Sequence, residues 1–203
     1  MLFRSSITAP SGANQTLTGG LRIDAGVVRI TNSGALGAAT NIVGINNTYG
    51  AQLQLGDGVN LPNPVAISMV TANVGTNPYA GMNGLGMLAV MSGTATLSGG
   101  IASANSDFVV GAAATATLNI TGGVATGAAN RYMHLVGPGT INLSGSAVTG
   151  LAALFQTGAG NVTLSTSLSG TQGTSGGLTL QGGGGTFTIN GSGSMSGVLA
   201  NLV

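Results

Sequence analysis

The sequence predicts an all-β protein, specifically a right-handed parallel β-helix, and three observations carry that prediction. Short runs alternate apolar and polar residues with a period of two, as in Leu21, Ile23, Val28 and Ile30 against Arg22, Asp24, Arg29 and Thr31. Pairs such as Gly19-Gly20, Ala25-Gly26 and Ser33-Gly34 punctuate these runs. In the second half, strand-and-turn phrases recur at a nearly fixed step. A β-sandwich also shows many short strands with Gly turns and is the alternative fold, but a fixed step is the signature of stacked coils.

The stretch Thr16 to Gly37, TLTGGLRIDAGVVRITNSGALG, parses as two strands with a turn at Ala25-Gly26. It resembles the autotransporter-associated β-strand repeat of bacterial surface proteins: a turn "TGG", an alternating strand, "AG", a second strand and "GALG". Thr18-Gly19-Gly20, Ile23, Ala25-Gly26, Val28 and Gly34-Ala35-Leu36-Gly37 stand at the matching positions, and Leu53-Gln54-Leu55-Gly56 and Leu61-Pro62-Asn63-Pro64-Val65 look like its continuation. The likeness covers roughly the first third of the chain. It implies a parallel β-helix displayed extracellularly or on the cell surface, and it names no activity.

Further along, Leu97-Ser98-Gly99-Gly100, Ile120-Thr121-Gly122-Gly123, Leu143-Ser144-Gly145-Ser146 and Leu168-Ser169-Gly170-Thr171 recur at steps of 23, 23 and 25, and Ile189-Asn190-Gly191-Ser192 follows after 21. A second series, through Ala89-Val90, Phe108-Val109-Val110, His134-Leu135-Val136 and Leu154-Phe155-Gln156, lies between them. Two strand sets alternating in this way predict coils stacked along one axis, with Ile120 and Leu143 pointing inward. About nine coils at a spacing of about 4.8 Å would make a rod on the order of 40 Å long. The chain 1–203 reads as one domain, with a loop leaving the coil at about 60–86, where Pro62, Pro64 and Pro78 accompany Asn73, Asn77 and Asn83.

Composition narrows the function classes. Charged residues make up 3% of the chain and the net charge is +1, with no Lys or Glu, so there is no electrostatic footprint for nucleic acid or an anionic membrane. No apolar run reaches the length of a membrane-spanning helix, and aromatics at 3% are too few for the girdles of an outer-membrane barrel; membrane insertion is not expected. Cys is absent, which removes disulfide and thiolate chemistry. Met1-Leu2-Phe3-Arg4 is not followed by an apolar signal core, so a secreted reading treats this as a mature or partial chain. A nearly uncharged surface of Ser, Thr, Asn and Gly lacks the repulsion that keeps monomers apart.

Motifs with chemical meaning lack the surroundings that the chemistry needs. Gly173-Thr174-Ser175-Gly176-Gly177 matches a nucleophile elbow, and Asp107, His134, Ser175 is a known triad order, yet a strand rather than a helix follows Ser175. Gly84-Leu85-Gly86-Met87-Leu88-Ala89 matches a dinucleotide fingerprint, again without a helix. Asp57 between two glycines suits a turn better than a calcium site. No cofactor is expected, and Ser175 and His134 read as scaffold positions whose replacement by Ala changes nothing. Arg22, Asp24 and Arg29 are placed to pair across the surface. Thr16, Thr18 and the pairs Thr94/Thr96, Thr115/Thr117 and Thr186/Thr188 suit outward strand positions by propensity alone, although T-x-T rows on a flat face can also order water or bind ice.

The expectation is therefore a non-enzymatic structural subunit of a bacterial extracellular fibre or surface layer, a homo-oligomer or homopolymer. The alternative is a monomeric adhesin or ice-binding module of a larger passenger, with a surface glycan or other matrix ligand. The apolar residues Met1, Leu2, Phe3, Leu199, Leu202 and Val203 are the expected assembly contacts, joining one chain's last strand to the next chain's first.

Overall fold

The computed structural model describes residues 4–7, 19–68, 84–104, 106–127, 131–169, 177–180, 184–190, 194–196 and 200–202. Its first strands are β1 (Arg4–Ile7), β2 (Leu21–Ile30), β3 (Val43–Leu55) and β4 (Asn60–Leu61). Triplets then follow: β5 (Val65–Ser68), β6 (Leu88–Val90), β7 (Thr94–Leu97); β8 (Ile101–Ser103), β9 (Phe108–Ala112), β10 (Thr117–Ile120); β11 (Val124–Thr126), β12 (Arg131–Val136), β13 (Thr140–Leu143). The last are β14 (Val148–Thr149), β15 (Leu151–Gln156), β16 (Asn161–Leu164); β17 (Ser167–Ser169), β18 (Gly177–Leu180), β19 (Phe187–Ile189); β20 (Ser194–Ser196) and β21 (Ala200–Leu202).

Each strand pairs with the one a full coil away, and every pairing among the described residues is parallel. The chain is thus a parallel β-solenoid; the antiparallel pairing of a sandwich is not what it uses. Each coil has three strands, where the sequence suggested two sets. One ladder runs β3-β5-β8-β11-β14-β17-β20, a second runs β3-β6-β9-β12-β15-β18-β21, and a separate six-stranded sheet runs β4-β7-β10-β13-β16-β19. Among the described residues, six coils carry strands on all three faces, from β3–β4 to β17–β19, with partial coils outside them, against the nine expected.

The parse of Thr16 to Gly37 as two strands and a turn corresponds to one bent strand. β2 runs through the corner at Gly26, whose φ is 81°. Its register against β3 shifts on both sides of Ala25, so Leu21 to Ile23 belongs to the first ladder and Val27 to Ile30 to the second. An L side chain at the corner would be strained, which is why the bend falls on glycine.

The expected departure from the coil at 60–86 is corrected at its start. Residues 60–68 stay in the coil as β4 and β5, because Pro62 and Pro64 sit in the corner between them, where a missing N–H costs no ladder bond. Asn63 fastens that corner: its buried amide donates to the carbonyls of Ala38 (2.8 Å) and Asn41 (3.0 Å) in the coil before. Asn73, Asn77, Pro78 and Asn83 lie outside the described residues.

Inward positions stack into apolar columns. Leu61, Leu97, Ile120, Leu143 and Leu164 align on the six-stranded sheet, all within 1% of full burial. Leu53, Leu88, Val110 and Leu135 do the same on the second ladder. Burying each such side chain stabilises the fold by about 1.5–3 kcal/mol. The fourth member of the repeat is corrected here: Leu164, not Leu168, continues the Leu97 column, whereas Leu168 pairs with Val148 on the first ladder.

Candidate functional surface

Two outward regions concentrate the polar and aromatic side chains. On the six-stranded sheet, inward Leu, Ile, Ala and Val alternate with outward Thr and Asn, so parallel pairing places like residues in line. One row is Thr94, Thr117, Thr140 and Asn161; the other is Asn60, Thr96, Asn119, Asn142, Thr163 and Thr188. The Asn142 amide donates to Asn119 Oδ1 at 2.8 Å, a rung of an amide ladder. The threonine pairs of the sequence are thereby revised. Thr94/Thr96 lies on the face, but Thr115 sits in a turn at φ 65°, so the partner of Thr117 on its strand is Asn119. Thr188 lies on β19, and Thr16 and Thr18 lie outside the described residues. Asn119, Thr140, Asn142, Asn161 and Thr163 complete the face, and the pattern they share with Thr94 and Thr96 is [TN]-x-[TN] before each corner.

The second region lies on the second ladder, where Arg131, Tyr132, His134, Phe155 and Asp107 meet. β12 alternates, with Met133 and Leu135 buried and Tyr132, His134 and Val136 half-buried. His134 is outward, as expected, but its ring stacks on Phe155 with centroids 4.8 Å apart and planes at 9°. Tyr132 meets the same Phe155 edge-on at 5.5 Å. The expectation for His134→Ala leaves the stacking contact out; its loss should cost about 0.5–1.5 kcal/mol. Asp107, buried at the corner before β9, accepts the Tyr132 N–H at 2.8 Å.

The Asp107 carboxylate faces the Tyr132 backbone, His134 lies between Val109 and Phe155 in the ladder, and Ser175 lies outside the described residues.

These two groups make stability depend on pH. Burial pushes the Asp107 carboxyl above its ordinary 3.8, against the smaller opposing effects of the Tyr132 N–H and Arg131. Burial pushes the His134 imidazole below its ordinary 6.5. For His134 the unfolded chain binds more protons, so its contribution is complete above 6.5 and is lost as pH falls below it. For Asp107 the folded chain holds the proton more tightly, so its contribution is complete below 3.8 and is lost as pH rises above it. Relative to His134→Gln, the wild-type melting temperature should fall as pH drops below 6.5, whatever the opposing contribution of Asp107. Asp107→Asn keeps the acceptor for Tyr132 and should raise stability near neutrality. A lower melting temperature for that variant at neutral pH would show that Arg131 outweighs desolvation.

The remaining motifs take part in contacts between coils. Asp57 Oδ1 accepts the Thr94 N–H of the next coil at 2.8 Å. Gly84 and Gly86 have φ of 67° and 77° and lead the chain back to β6, where the Leu85 carbonyl lies 2.5 Å from where a Gly111 side chain would begin. That fingerprint cradles a neighbouring coil. Arg22 pairs with Asp24 on its own strand at 2.8 Å, both exposed. Arg29 stands apart, its buried Nε without a partner. An open groove of about 170 Å³ runs over Gly99 to Ala102 and Gly122 to Ala125, and no titratable side chain lines it. Of the expected assembly residues, Leu202 ends β21; Met1, Leu2, Phe3, Leu199 and Val203 lie outside the described residues. No described helix is long and apolar enough to cross a membrane.

Comparison with protein-family models, with curated proteins and with solved structures finds no match to this chain.

Proposed function

We propose that this chain is a non-catalytic structural module of a bacterial extracellular fibre or surface layer, self-assembling through its neutral surface and the edges of its coils. The observation that supports this most directly is the unbroken parallel pairing of six coils around one apolar core, with a surface that carries almost no charge. Such a unit is rigid, because each coil is bonded to two others along three ladders. It is also adhesive to its own kind, because like-charge repulsion is nearly missing.

The test is the state of association of the purified chain. Sedimentation and negative-stain micrographs should show regular assemblies that grow with concentration and change little with salt, since few charges are screened. A folded chain that stays monomeric at every concentration rules the proposal out.

A further inference from the structure

The Thr/Asn face has a property that a packing surface does not require: a regular, uncharged two-dimensional lattice. Along the first row the residues step by 23, 23 and 21, yet the pairing keeps its register without a bulge. Differences in coil length are absorbed elsewhere, and the face stays regular. The second ladder, by contrast, shifts register between Arg131 and Tyr132. Neighbours across strands are about 4.8 Å apart, and alternate residues along a strand are about 6.6 Å apart. Oxygen positions in hexagonal ice repeat close to the first of these lengths along one axis and at a somewhat greater length than the second along the other.

The side chains suit such an occupant. Among the described residues, the hydroxyls of Thr94, Thr96, Thr117, Thr140 and Thr163 make no hydrogen bond to protein. β-Branching restricts each threonine at χ1, so little side-chain entropy is lost when a lattice is held. The methyl groups between the hydroxyls leave water with few alternative partners. Other occupants fit less well. An ionic partner finds no charge in either row, and a sugar chain finds no outward aromatic ring to stack on. A protein partner finds no aromatic or Arg anchor.

We infer that this face, formed by β7, β10, β13 and β16 with Asn60 and Thr188 at its margins, binds the ordered water of an ice plane. The inference is independent of self-assembly, which is measured in ice-free buffer.

Thermal hysteresis and partition of the purified chain into a growing ice hemisphere test it. The wild-type chain should enter the ice and shape crystals. Thr117→Lys with Thr163→Lys, two coils apart so that the charges do not meet, should abolish both effects while circular dichroism is unchanged. Thr117→Leu with Thr163→Leu provides the same test without charge, should the Lys pair fail to fold. Ala125→Lys, exposed on the first ladder, should retain full activity. Exclusion of the folded wild-type chain from ice overturns the inference. So does full hysteresis in a folded double variant, an equal loss in Ala125→Lys, or retention on crystalline cellulose with no entry into ice.

Discussion

Ile120→Asp should leave no folded protein. Ile120 is 1% exposed, and its column neighbours Leu97 and Leu143 are fully buried. The substitution removes a core side chain, at about 2–5 kcal/mol, and puts an unpaired carboxylate in its place, at several kcal/mol more. A domain of this size has about 5–15 kcal/mol to lose. The damage also spreads, because a solenoid coil is held mainly by its neighbours and the loss of β10 detaches β7 from β13. Thr121→Asp, one residue along at a half-buried corner, is the control, since its bonds to neighbouring coils are made by the backbone alone, the N–H donating to Leu97 at 3.0 Å and the carbonyl accepting from the Ser146 N–H at 3.0 Å. It should cost about 1 kcal/mol or less. Soluble yield and circular dichroism separate the two, and equal behaviour would mean that the faces of β10 are wrongly assigned.

That contrast was readable from the sequence, because parallel coils repeat one pattern and the alternation around Leu97, Ile120 and Leu143 is unambiguous. At the next coil the repeated phrase misleads, for a physical reason. Between Thr140 and Asn161 the step shortens to 21 residues, and Leu168-Ser169-Gly170 imitates the phrase that begins at Leu97. The third strand of each coil was missed because β8, β11 and β14 have only three, three and two residues, too few to show a period. β9 also hides its direction: Phe108 to Ala112 is buried at all five positions, an apolar run without alternation. Outward Thr and Asn are expected from the alternation, but which of them share a row is set by register, since no single strand distinguishes an outward Asn from a turn residue. The ring cluster was out of reach too. His134 and Phe155 are 21 residues apart, and only the pairing of β12 with β15 brings them together.

Gly122→Ala should be strongly destabilising for the addition of a single methyl group. In the Gly-Gly corners the two glycines are required for different reasons. Gly100 and Gly123 have φ of 77° and 83°, which L side chains avoid, so the second glycine is required by conformation. The first is required by space. A Cβ on Gly122 would collide with the Gly100 nitrogen and the Ser98 carbonyl oxygen and lie 2.7 Å from the Gly100 Cα. A Cβ on Gly99 would collide in the same way with the backbone of Asn63 and Pro62. None of these is the yielding end of a side chain, and the corner cannot slide away. Ile101 donates to Gly123 at 3.0 Å and Thr121 to Leu97 at 3.0 Å, so any shift that admits the methyl lengthens bonds between coils. The cost should reach the upper end of the overpacking range, about 3 kcal/mol, which lowers the melting temperature on the order of 10 °C. Gly19→Ala is the comparison, because nothing lies within 4 Å of the added methyl, and it should melt with the wild-type chain. If Gly122→Ala also melts with the wild-type chain, the coils are not in contact at their glycines, and the first glycine of the corner is there for some reason other than close approach.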